Sequence, residues 1–130
     1  MKKLLLILTL SLSIISCKND DDSPPVLVGT WNLVEVYNDP GDGSGGFGPA
    51  TESKILQFFS NGTVTTSGVL CIDASAGAIS TGTFDETSGN ITPDGAQCLD
   101  IDYTLTSNSL VLAYPCIEAC LEKYAKFLEE

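Results

Sequence analysis

The sequence predicts an all-β, antiparallel domain, and three observations carry that reading. Runs of strand-forming residues are short and divided by Gly, Asn, Asp and Ser. Asn61-Gly62 sits between two apolar-rich runs, the strongest short-range hairpin signal, because both residue types accept positive φ. Leu99, Ile101, Tyr103 and Leu105 alternate with Asp100, Asp102 and Thr104, the pattern of a sheet with one wet face.

Taken in order, Val28 to Tyr37 is the first strand, rich in β-branched and aromatic residues. Lys54 to Phe59 and Thr63 to Ser67 form the hairpin around Ser60-Asn61-Gly62, and Ala78 to Asp85 is a weaker strand. After the alternating segment, Thr106 to Ser109 turns the chain and Leu110 to Tyr114 pairs back. The C-terminus is open to two readings. Leu121, Tyr124, Ala125 and Leu128 fall at helical spacing, whereas a closing barrel requires a last strand, for which Lys123 to Leu128 is the segment left. Strand is the favoured expectation. Residues 26 to 130 suffice for one core, with no internal repeat.

The amino terminus is built differently. Lys2 and Lys3 precede an apolar run from Leu4 to Ile15, which is shorter than the roughly 20 residues of a membrane span and has the layout of a secretory leader. Its end, Ile14-Ile15-Ser16-Cys17, resembles the lipobox of bacterial lipoproteins. That resemblance implies a signal peptide over residues 1 to 16 and a diacylglyceryl group on the Cys17 thiol. It further implies an acylated new amino terminus, so that several palmitate-like chains hold the protein stably in a membrane. Residues 17 to 25 then form an acidic, proline-ended tether. Asp20, Asp21 and Asp22 resemble the acidic stretch that directs some lipoproteins of Gram-negative bacteria to the cell surface; a solvated spacer is the competing reading. The expected location is the outer membrane, by lipid anchor, with surface display as the finer expectation.

Charge and composition exclude several classes. Removal of Lys2 and Lys3 takes the formal charge from −11 to −13, which repels phosphate backbones and rules out nucleic-acid binding. The chain has no histidine, so His-based nucleophilic catalysis and His-ligated metal are not expected. No arginine or nucleophile motif is present either, and no enzymatic activity, cofactor or metal is predicted. Cys71, Cys98, Cys116 and Cys120 remain after Cys17. An even number in an exported domain reads as two disulfides. Three pairings are possible, and proximity along the chain favours Cys71–Cys98 with Cys116–Cys120; a soft-metal or redox site at Cys116 and Cys120 is the alternative.

Gly29-Thr30-Trp31 resembles the Gly-x-Trp signature that opens the first strand of lipocalins. Phe58-Phe59-Ser60-Asn61-Gly62-Thr63-Val64, Leu110-Val111-Leu112 and Cys116-Ile117-Glu118-Ala119-Cys120 look like the small lipocalin-like domains of bacterial lipoproteins, a likeness that runs through residues 26 to 128. The resemblance implies a small antiparallel lipocalin-like β-barrel plugged at one end by Trp31. In lipocalins an arginine often covers that Trp; here Lys123 or Lys126 is the candidate, through a cation–π contact.

The family's usual work implies a small apolar ligand inside the barrel, with Trp31, Glu35, Tyr37, Phe58, Tyr103 and Leu112 as candidate lining residues; the competing reading is that the apolar ones simply form the core. With Trp31 inward, strict alternation would also turn Leu33, Glu35 and Tyr37 inward. A lone buried carboxylate is costly, so a bulge after Leu33 is favoured over a polar cavity wall. The Gly-rich segment Asn38 to Ala50 corresponds to the long lipocalin loop over the cavity mouth. There Asp39, Asp42 and Ser44 could offer oxygens to calcium, or Phe47 a lid, against a default of a mobile loop. Asp100 and Asp102 read as wet-face charges. The leading functional expectation is therefore a tethered binding module. The alternative is an envelope protein with a filled core that docks on a partner protein, and a further possibility is an inhibitor that uses the Gly-rich loop.

Overall fold

The computed structural model describes residues 26–128; the leader, Cys17 and the whole acidic tether lie outside the described residues. Eleven strands follow one another: β1 (Gly29–Asn38), β2 (Gly46–Pro49), β3 (Ile55–Phe58), β4 (Thr63–Thr66), β5 (Cys71–Asp73), β6 (Gly77–Ile79), β7 (Thr81–Asp85), β8 (Asn90–Pro93), β9 (Ile101–Leu105), β10 (Ser109–Tyr114) and β11 (Cys120–Lys126). The ladder β1-β3-β4-β7-β8-β9-β10-β11 is antiparallel throughout and closes where β11 pairs with β1. Closure leaves no free edge around the ring. The result is an eight-stranded barrel, the architecture that the likeness to lipocalins implies. The C-terminal segment is a strand, because its Tyr124 and Glu122 face the interior beside Leu33 and Val36 of β1 while Tyr114–Leu110 of β10 pairs along its other edge.

β1 does the most work in the ring. Gly29 to Asn32 pair with β3, Glu35 to Asn38 pair with β2, and the opposite edge pairs with β11. Where its partners change, the register against β11 slips by one: Leu33 faces Tyr124 and Glu35 faces Lys123, with Val34 extra. This is the expected bulge. Trp31, Leu33 and Val36 consequently face inward, while Glu35 emerges on the outside and pairs with Lys123 at 2.6 Å.

Inside, Trp31, Leu56, Phe58, Val64, Ile91, Ile101, Leu110, Leu112 and Tyr124 make one buried cluster, joined by Leu27 and Leu70 from either side. At the Trp31 end the indole Nε1 donates to the Leu27 carbonyl at 2.8 Å. Lys126 Nζ lies 5.4 Å from the ring centre and donates to the Val26 carbonyl. Gly29 is needed beside them: its φ is +134°, and a Cβ there would stand 3.3 Å from Lys126 Cε. The described core runs from Leu27 to Tyr124, and the ring closes on itself.

Several boundaries differ from the sequence reading. Ala78 to Asp85 is two strands, because Ala78-Ile79 pair with β5 while Thr81 onward pairs with β4, and the intervening Ser80 carbonyl accepts from Thr66 N. The hairpin at Asn61-Gly62 places only Gly62 at positive φ, +85°; the Asn61 side chain instead accepts from Thr63 N and Oγ1. The Gly-rich stretch contains β2, laid on the edge of β1. Phe47 in β2 meets Tyr37 edge-on at 5.5 Å and lies under Lys123 Nζ, on the outer side with Glu35, so it does not cover the mouth as a lid.

Candidate functional site

At the end away from Trp31 the barrel is covered by the β5–β6 hairpin. Leu70 enters the core, the Cys71–Cys98 disulfide ties the hairpin to the β8–β9 connection, and Asp73 locks the same joint. Asp73 is 1 % exposed and accepts from Ser75 N, Ser75 Oγ, Ala76 N and, across the joint, Gln97 N at 2.9 Å. Those hydrogen bonds, Ser75 Oγ foremost, pull its carboxyl from an ordinary 3.8 to about 2. A side chain on Gly95 would meet Cys98 Sγ and Asp73 Oδ2, so the joint has room only for glycine. The second disulfide, Cys116–Cys120, closes the β10–β11 turn. Both bridges follow the favoured pairing.

Beneath this cover lies a polar cluster inside the barrel. Glu122 of β11 faces inward two residues before Tyr124, and Lys54, the residue just before β3, reaches it with Nζ 2.9 Å from Oε2. Lys54 Nζ also donates to the Tyr114 hydroxyl at 2.9 Å, and the Tyr114 and Tyr124 hydroxyls both donate to Glu122 Oε2. A carboxylate so placed would be costly alone; here every partner is supplied from within the ring. Burial first, and for Tyr114 the Glu122 charge next, push both phenols well above their usual range, which keeps them protonated donors. Tyr114 also stacks under the ammonium, 5.1 Å from ring centre to Nζ.

Two clefts open above the cluster and share Val36, Lys54, Val69 and Glu122. One, about 430 Å³, runs between Leu70, Ile72, Tyr114 and Leu121 and is mainly apolar. The other, about 590 Å³, is bounded by Leu33, Asn38, Pro49, Thr51 and Glu52. A smaller one of about 260 Å³ lies across the β5–β6 hairpin, against Leu99, Ile101 and Pro115.

The structure distributes the sequence candidates unevenly around this site. Trp31, Phe58 and Leu112 are fully buried in core packing. Tyr103 packs against that core and its hydroxyl donates to the Asp85 carbonyl. Tyr37 borders the apolar cleft. Glu35 is turned out of the barrel by the bulge, and the interior carboxylate is Glu122 instead. Alternation along the last strand was the available signal, since Glu122 and Tyr124 are two apart, but it needed the strand reading of that segment. Asp39 and Asp42 accept from backbone N–H groups of their own loop, and Asp100 and Asp102 are exposed. Among the described residues no group of three or more His, Cys, Asp or Glu is placed to hold a metal ion. Comparison with protein-family models, with curated proteins and with solved structures finds no match.

Proposed function

We propose that this chain is a lipid-anchored binding protein of the bacterial cell envelope, not an enzyme, and that it holds a small apolar ligand at the barrel mouth. The observation that carries the reading is the pair of neighbouring clefts, about 430 and 590 Å³, which share Lys54 and Glu122; the first has mainly apolar walls and the second is mixed. Small-molecule sites share that volume range and that mix of apolar lining with few polar groups. The half of the barrel around Trp31 is filled, so the ligand sits under the β5–β6 hairpin. The leader and Ile14-Ile15-Ser16-Cys17 support anchoring at the outer membrane through a diacylglyceryl group on Cys17, and a position facing the cell surface rests on Asp20-Asp21-Asp22 alone, which a solvated spacer would equally explain.

Native mass spectrometry of the segment from Val26 onward, exported to the periplasm, tests the ligand. A co-purifying apolar molecule, lost on solvent extraction and replaced by an added probe, is the expected result. A bare mass that takes up no alcohol, amine or fatty acid would sink it. A second reading, docking on an envelope protein, is favoured by one observation: Ile72 and Leu99, 71 % and 66 % exposed, stand at this mouth. Retention of a partner by the wild type but not by an Ile72→Asp, Leu99→Asp variant would support it.

A further inference from the structure

The proposed ligand site also carries a charge preference, which follows from where the cations of the domain are spent. Lys54, Lys123 and Lys126 are the cationic side chains between residues 26 and 128. Each is held internally: Lys54 by Glu122 and Tyr114, Lys123 by Glu35, and Lys126 by the Val26 carbonyl and the Trp31 ring. Of these, Lys54 lines the clefts. A carboxylate ligand could use Lys54 only by drawing it from Glu122, which would leave an inward-facing acid without its counter-charge, a costly exchange.

The walls favour the opposite sign. Glu52 is exposed on the polar cleft, which Asn38 and Thr51 also line, and with Lys54 and Glu122 it gives the two clefts together a net negative lining. Tyr37 and Tyr114 also line the apolar side, but the Tyr114 ring already lies under the Lys54 ammonium, so the attraction for a cation comes from the carboxylates. We propose that the mouth cleft selects a cationic amphiphile, an apolar chain or ring system ending in an amine, over the fatty-acid anion. The apolar body lies along Val69, Leu70 and Leu121, and the ammonium faces Glu52. This rests on the cleft being a ligand site, and the test separates the two.

The test is displacement of the neutral fluorophore N-phenyl-1-naphthylamine from the oxidised Val26-onward segment at pH 7. Dodecanol, dodecylamine and dodecanoate share a chain and differ in charge. Dodecylamine should displace the fluorophore at about one-tenth of the dodecanoate concentration. Glu52→Gln should narrow that gap, whereas Asp102→Asn, on the exposed side of β9, should leave it; this separates the cleft wall from the general field of an acidic domain. Equal potency of the two ions, or a gap unmoved by Glu52→Gln, overturns the charge preference while dodecanol still competes. Failure of both the fluorophore and dodecanol to bind overturns the ligand-site reading itself.

Discussion

Lys126 Nζ stands 5.4 Å from the centre of the Trp31 ring while donating at 2.6 Å to the carbonyl of Val26. One ammonium thus closes the plugged end of the barrel from β11, and its stem occupies the space left by Gly29. Replacing Lys126 with Met keeps the stem and removes the charge, and should cost about 1 kcal/mol by loss of the cation–π and hydrogen-bond contacts. Lys126→Arg should remain within about 0.5 kcal/mol of wild type. Urea unfolding followed by Trp31 fluorescence checks both, because the chain has a single tryptophan.

The inner cluster should behave as a unit. Lys54→Met leaves the half-buried Glu122 without its cation, and Glu122→Leu strands the cation instead; each should lose about 2 kcal/mol. The double variant should lose clearly less than the sum of the two. Denaturation midpoints of the four proteins give the coupling directly, and strict additivity would refute the pairing.

The two disulfides close loops of very different length, with sequence separations of 27 and 4. Constraint of the unfolded chain alone then predicts a loss of about 3.5 kcal/mol for Cys71→Ser with Cys98→Ser, against about 2 kcal/mol for Cys116→Ser with Cys120→Ser. Only the first pair should also increase amide exchange across the β5–β6 hairpin.

Acid should loosen that hairpin through Asp73. Its carboxyl titrates at about 2 in the fold against an ordinary 3.8, so the folded state favours the ionised form. Its contribution is complete above the unfolded value and disappears as pH falls from about 4 to 2. The stability of wild type should fall more steeply over that window than that of Asp73→Asn, as measured by urea midpoints at successive pH values.

What the sequence makes legible divides by mechanism. Period-two alternation exposes β9, and β-branched content exposes β1, because both properties are local. Asn90-Ile91-Thr92-Pro93 reads as punctuation, yet it is β8, since its one large apolar residue faces the core and its neighbours β7 and β9 supply the ladder. The glycines and proline of β2 likewise hide a strand that exists only because β1 offers it an edge. The site depends on longer range still. Lys54 and Glu122 lie 68 residues apart, and nothing local to either marks it as interior. The side chain that alternation alone would put inside, Glu35, is outside because of one extra residue at Val34.

The chain enters the barrel at Val26 and leaves it through Phe127 and Leu128, and both passages are at the Trp31 end, where Phe127 N donates to the Thr30 carbonyl. Any pull on the amino terminus is therefore borne by the plugged base. The opposite rim, built from the β1–β3, β4–β7, β8–β9 and β10–β11 connections, carries none of that load. A barrel arranged this way can exchange the whole composition of its rim while the two ends of its chain keep their places.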